Sequence, residues 1–172
     1  MMRQIGKQIL TIAVLLGGLL APVQAASIVT TIVTDPFSGV ALEGYDPVTY
    51  FTEAQPQLGL PDYEYYWGGV PWYFVSAANR DVFIRAPEVY APQHGGYCEM
   101  SLARGYLSDG NPKIYAVEKM KLYLFYSAAN REAFLLSKAE AIAEAEGKWP
   151  VLSKDLIGPQ PAADEPLLKA SH

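Results

Sequence analysis

The segments "WYFVSAANRDVFI" (72–84) and "YLFYSAANREAFL" (123–135) are two versions of one pattern: an aromatic run, a serine, a helix-forming stretch and a phenylalanine. Serine is a preferred helix N-cap, because its hydroxyl accepts a bond from an early helix N–H that otherwise lacks a partner. Ala-Ala then starts the helix well, and Asp81 or Glu132 places negative charge in the first turns, where the helix dipole favours it. Asn79 and Asn130 stand three residues after the serine, a weaker counterpart of the Glu of a capping box. Phe74 with Phe83, and Phe125 with Phe134, are placed to return each helix onto its own strands. The copies share no nucleophile, base or metal ligand, so they read as a repeated strand-to-helix turn and not as a repeated catalytic site.

Outward from these turns, "DYEYYWGGVPWYFVS" (62–76) reads as two aromatic strands joined at Gly68-Gly69, since glycines accept the positive φ of tight hairpin turns. "KIYAVEKMKLYLFY" (113–126) alternates in the same way, with its tip near Met120-Lys121. The expected fold is α+β: a small, mainly antiparallel sheet with helices packed against it, built from two strand-hairpin/helix units. Between the units, Pro87 ends the first helix, and "GGYCEMSLARGY" (95–106) predicts a second short helix that Gly96 opens, with Cys98 in its first turn. The second "SAANR" predicts the longest helix, running to about Lys148 ahead of Pro150, with Leu135, Ala139, Ile142 and Trp149 along one apolar stripe.

The flanks differ in character. Residues 1–25, "MMRQIGKQILTIAVLLGGLLAPVQA", have the layout of a secretory signal peptide, cut after Ala25 or alternatively after Ala26: two cations, an apolar run, then small residues. The run is shorter than the roughly 20 residues that cross a bilayer, which argues against a stable membrane anchor after processing. Residues 26–43 form a Val/Ile/Thr-rich lead-in, an edge strand or an irregular segment, and residues 44–152 the main domain. Residues 153–172, rich in proline and without sustained period, predict a disordered tail.

The 172 residues carry a formal net charge of −5, which becomes −7 once Arg3 and Lys7 leave with the signal segment. That sign disfavours nucleic acid and anionic lipid as partners. Cys98 is the sole cysteine, so the chain forms no internal disulfide.

The motifs "GYDPVTYF" (44–51), "GGVPWYFVSAANRDVFIRAPEVYAPQHGGYCEMSLARG" (68–105), "KLYLFYSAANREAF" (121–134) and "KWPVL" (148–152) resemble the exported branch of the YHS domain proteins. The resemblance implies a small stand-alone domain in the bacterial periplasm, related to modules attached to metal-handling proteins. Where metal-associated members carry cysteines in the opening and at the end of the aromatic strand, this chain has Thr49 and Val75. Neither is a soft-metal ligand.

"HGGYCEM" (94–100) is then the one segment with metal-binding chemistry: His94 and Cys98, with Met100 as the weakest member, suit copper. The competing readings of Cys98 are a small buried packing residue and a redox or nucleophilic thiol. A different class of site lies in the aromatic surplus of the first hairpin, where Tyr66 and Trp72, with Arg80 for an anionic group, are candidate contacts for a small organic molecule or an envelope protein. The leading expectation is an exported binding protein of YHS type, more a binder than an enzyme, with soft-metal handling as its most concrete form. A metal-free aromatic module is the alternative, and a thiol-based redox protein comes third.

Overall fold

Gly68 and Gly69 take positive φ (60° and 77°), and β1 (Leu60–Trp67) and β2 (Val70–Phe74) pair antiparallel across them. At the second hairpin Lys119 and Met120 adopt the same left-handed backbone without glycine (51° and 60°), joining β3 (Asn111–Glu118) to β4 (Lys121–Phe125). This is a small α+β fold, described over residues 31–156 in a computed structural model, and its strands form two separate two-stranded ladders. The helices are α1 (Thr49–Thr52), α2 (Ala77–Arg85), α3 (Pro87–Tyr90), α4 (Glu99–Arg104), α5 (Ala128–Leu136) and α6 (Lys138–Leu152). The signal segment and the tail beyond residue 156 lie outside the described residues.

The repeat extends far past "SAANR". Ser76 Oγ accepts from Asn79 N at 3.2 Å, and Ser127 Oγ from Asn130 N at 3.3 Å. Both hairpins shift register at matching points, between Leu60 and Glu64 and between Asn111 and Tyr115. Upstream, Leu42, Glu43 and Gly44 hold positive φ, as do His94, Gly95 and Gly96. Tyr45 N then bonds Leu42 O and Tyr97 N bonds His94 O, while Gly59 N bonds Gly44 O and Gly110 N bonds Gly96 O. Leu42 therefore corresponds to His94, Asp46 to Cys98, Pro47 to Glu99, and, after one residue is dropped, Ser76 to Ser127.

This frame explains the break in the predicted longest helix. Ser137 (φ −144°, ψ 47°) separates α5 from α6, and its counterpart Ala86 (φ −152°, ψ 61°) separates α2 from α3. The joint belongs to the repeat, so one continuous helix from Ala128 does not form. The stripe is divided accordingly: Leu135 lies on α5, while Ile142 and Trp149 lie on α6, whose buried positions are Ala141 and Ala145. Pro150 does not end α6, which continues to Leu152. Proline lacks one N–H, and within the last turn its loss costs a single bond.

Each unit closes around equivalent aromatics. Phe83 packs on Phe74 and Trp72, both with centroids 5.2 Å away, and Phe134 packs on Phe125 (5.0 Å) and Tyr123 (5.4 Å). Full burial of such a side chain is worth roughly 1.5–3 kcal/mol. The lead-in contributes Ile32, Ala41 and Leu42 to the first core, and its described residues bend at Asp35–Gly39 with a single bridge, Thr34 to Ala41, where an edge strand was one expectation. α6 packs along α4, adding Ala145 to Tyr97 and Leu102.

Candidate functional site

The two repeats place different chemistry on one backbone. Asp46 is fully buried, and its carboxylate accepts from Val48 N (2.8 Å), Val75 N (2.9 Å) and Asn79 Nδ2 (2.8 Å). It ties the first turn to the end of β2 and to α2. The side chain of Asn79 thus serves Asp46 and not the capping role assigned to it from sequence. Cys98 occupies the matching place, is also fully buried, and accepts from Asn130 Nδ2 at 3.5 Å through Sγ. Asn130 in turn accepts from Arg104 Nη1 at 3.1 Å through Oδ1.

Cys98 stands as N-cap of α4 and not within its first turn, because its backbone is extended (φ −63°, ψ 115°). Around it pack Tyr123, Phe125, Phe134 and Ala141, with Met100 against the same cluster. His94 is directed elsewhere. Its Nδ1 lies 2.8 Å from Glu99 Oε2, and its ring rests 5.4 Å from that of Trp149 on α6. Glu99 is 1% exposed, and its Oε1 has no hydrogen-bond partner among the described residues. Burial raises the Glu99 carboxyl above its ordinary range, with the His94 contact opposing that shift. Tyr123 is pushed up to about 12, first by burial and then by the negative charge of Glu99, Glu146 and Glu118.

Among the described residues no group of three or more His, Cys, Asp or Glu side chains is arranged to hold a metal ion. His94 and Cys98 each have another partner, and Glu99, the neighbour of His94, was not singled out from sequence. The spacing of His94 and Glu99 follows no helical face. The positive φ of His94 (52°) turns the chain and brings the two together.

The aromatic candidates of the first hairpin also separate. Trp72 is 1% exposed, donating through Nε1 to Trp67 O at 2.8 Å in the core, whereas Tyr66 is 52% exposed with its hydroxyl on Gly69 O. Arg80 sits at the surface, 3.8 Å from Asp81.

A roomy, open concavity lies on the second unit instead, between β3 and α5, with a volume of about 590 Å³. Tyr50, Lys113, Tyr115, Ala128, Arg131 and Leu135 line it. Tyr50 and Tyr115 meet edge to face at 4.9 Å, and the Tyr50 hydroxyl donates to Pro112 O at 2.9 Å. Arg131 donates through Nε to Tyr115 O at 2.8 Å, and Nη1 lies 3.0 Å from Glu132. The guanidinium is therefore fixed at the rim. Ala116 lines the groove where the first unit has Tyr65, whose ring packs on Phe83 at 6.4 Å.

Among the described residues, no helix is long and apolar enough to cross a membrane. Comparison with protein families, curated proteins and solved structures finds no match to this chain.

Proposed function

We propose that this chain is an exported binding protein of the YHS type, working in the bacterial periplasm, which takes a small organic ligand without a metal. The groove between β3 and α5 carries the reading. Its 590 Å³ falls in the range of small-molecule sites, and it joins an edge-to-face tyrosine pair to the fixed guanidinium of Arg131 and the exposed ammonium of Lys113. Tyrosine suits such half-wet surfaces, since the ring offers apolar area and the hydroxyl a polar edge. The soft-metal form loses support because Cys98 is enclosed by aromatic side chains and His94 is engaged by Glu99. A nucleophilic thiol loses support on the same grounds, as His94 Nδ1 is bonded to Glu99 and Asn130 is the hydrogen-bonding neighbour of Cys98.

The test is a backbone amide NMR titration of residues 26–172 with two probes that share one ring system, 2-naphthoate and 2-naphthalenemethanol. Shifts concentrated at residues 113–117 and 128–135 with either probe are expected. Silence with both overturns the reading, as does tight Cu(I) binding abolished by both Cys98→Ala and His94→Ala, which restores the metal form.

A further inference from the structure

We infer that the groove between β3 and α5 selects an organic anion: a carboxylate or sulfonate carried on a flat apolar body. The inference rests on the binding reading above and adds the ligand's charge class. It is drawn from the repeat, which supplies an internal control. Residues 60–76 and 111–127 share one backbone, one register shift and one serine cap. At matching positions of the outer strands the first unit has Asp62 and Glu64, and the second has Lys113 and Tyr115. Both sets sit on the same paired and bulged backbone, so the shared strand pattern does not itself demand the change of charge.

The consequence is a reversal of sign. In the first unit two acids share the strand whose neighbouring helix carries Arg80. In the second unit Lys113 and Arg131 are the charged side chains of the groove, and no carboxylate lines it. Among the described residues no acid pairs with Lys113, whose ammonium lies 6.0 Å from the centre of the Tyr45 ring. Arg131 keeps Nη2 outside its contacts with Tyr115 and Glu132. Lys113 has no acid partner among the described residues and Arg131 shares only Nη1 with Glu132, so on a chain of net charge −5 this patch keeps positive charge that a matching anion would complement. The apolar part of the ligand is defined by Tyr50, Tyr115, Ala128 and Leu135. Charge-assisted hydrogen bonds to a planar guanidinium favour carboxylate and sulfonate over a neutral hydroxyl.

The same two naphthalene probes decide the matter, because they differ only at the polar end. Naphthoate is expected to bind roughly tenfold or more tightly than the alcohol, a difference of one charge-assisted contact. Importing the first unit's residues as Lys113→Asp with Tyr115→Glu should reverse or abolish that preference, with the amide spectrum reporting that the fold persists. Arg131→Gln should weaken naphthoate by a larger factor than it weakens the alcohol, narrowing the ratio between the two probes. Equal binding of both probes to the groove overturns the anion inference and leaves the binding function standing. A naphthoate preference untouched by the charge-reversed variant, or by Arg131→Gln, also overturns it. No binding of either probe removes the function itself.

Discussion

Residues 42–90 and 94–141 run through the same sequence of turns, bulged hairpin, capped helix and helix joint, yet they use their buried polar positions differently. In the first unit Asp46 is a structural hub with three donors converging on it. In the second, the equivalent Cys98 receives one weak bond, and the polar investment moves one residue along to Glu99, paired with His94. Their counterparts, Leu42 and Pro47, are apolar and buried. A repeated backbone thus separates what the fold requires from what an individual copy has acquired.

The sharpest way to break this comparison is at the two matching positions. Asp46→Ala leaves three donors stranded and is expected to cost about 3 kcal/mol or more, while Cys98→Ala should cost about 1 kcal/mol. Urea denaturation followed by tryptophan fluorescence measures both, and equal losses would mean that the two positions carry equal structural weight. Next come the caps. Ser76→Ala and Ser127→Ala should each cost about 1 kcal/mol, and by the same amount within error, since each hydroxyl accepts one amide at nearly the same distance. A clearly unequal pair of thermal midpoints would show that the second turn is held by its surroundings and not by its own serine.

The smallest expected effect concerns Glu99. Its carboxyl is raised in the folded protein, so folding favours proton uptake, and this stability is present below the ordinary carboxylate range and lost as pH rises through the raised value. Lys121, Glu146 and His94 are the charged or titratable groups acting on it, and Tyr123 responds to its charge. Glu99→Gln keeps an acceptor for His94 and removes the ionisation. The variant should flatten the loss of stability above the ordinary carboxylate range and, beyond that window, gain a few tenths to about 1 kcal/mol. An unchanged pH profile would sink the claim that the buried carboxyl is what the second unit added.

Much of this fold was legible because its signals are local. The serine caps, the glycine turn of the first hairpin and the aromatic return of each helix depend on residues close in sequence. What stayed hidden depends on positions whose resemblance is conformational. "LEGYD" and "HGGYC" share two residues, and only their run of positive φ angles reveals them as the same turn. Ser137 breaks the helical pattern without glycine or proline, so periodicity ran straight across it. For the site, the residue types around His94 were legible, but the partner was not: Glu99 meets His94 through a bent turn. Trp72, read as a groove residue from its abundance of aromatic neighbours, is fully enclosed by them.

Gly59 and Gly110 add a practical consequence. A β-carbon on Gly59 would stand 2.4 Å from the backbone carbon of Tyr73, and one on Gly110 2.4 Å from the β-carbon of Leu124 and 2.5 Å from Gly96 O. Tyr73 and Leu124 are themselves matching residues, so both units are sealed at the same point by the absence of a side chain. In a saturation scan of this chain, the two positions should stand out as a pair of intolerant sites 51 residues apart. Such paired notches in a mutational landscape would mark the repeat's architecture independently of sequence identity, and would locate similar duplications in chains whose letters have drifted further.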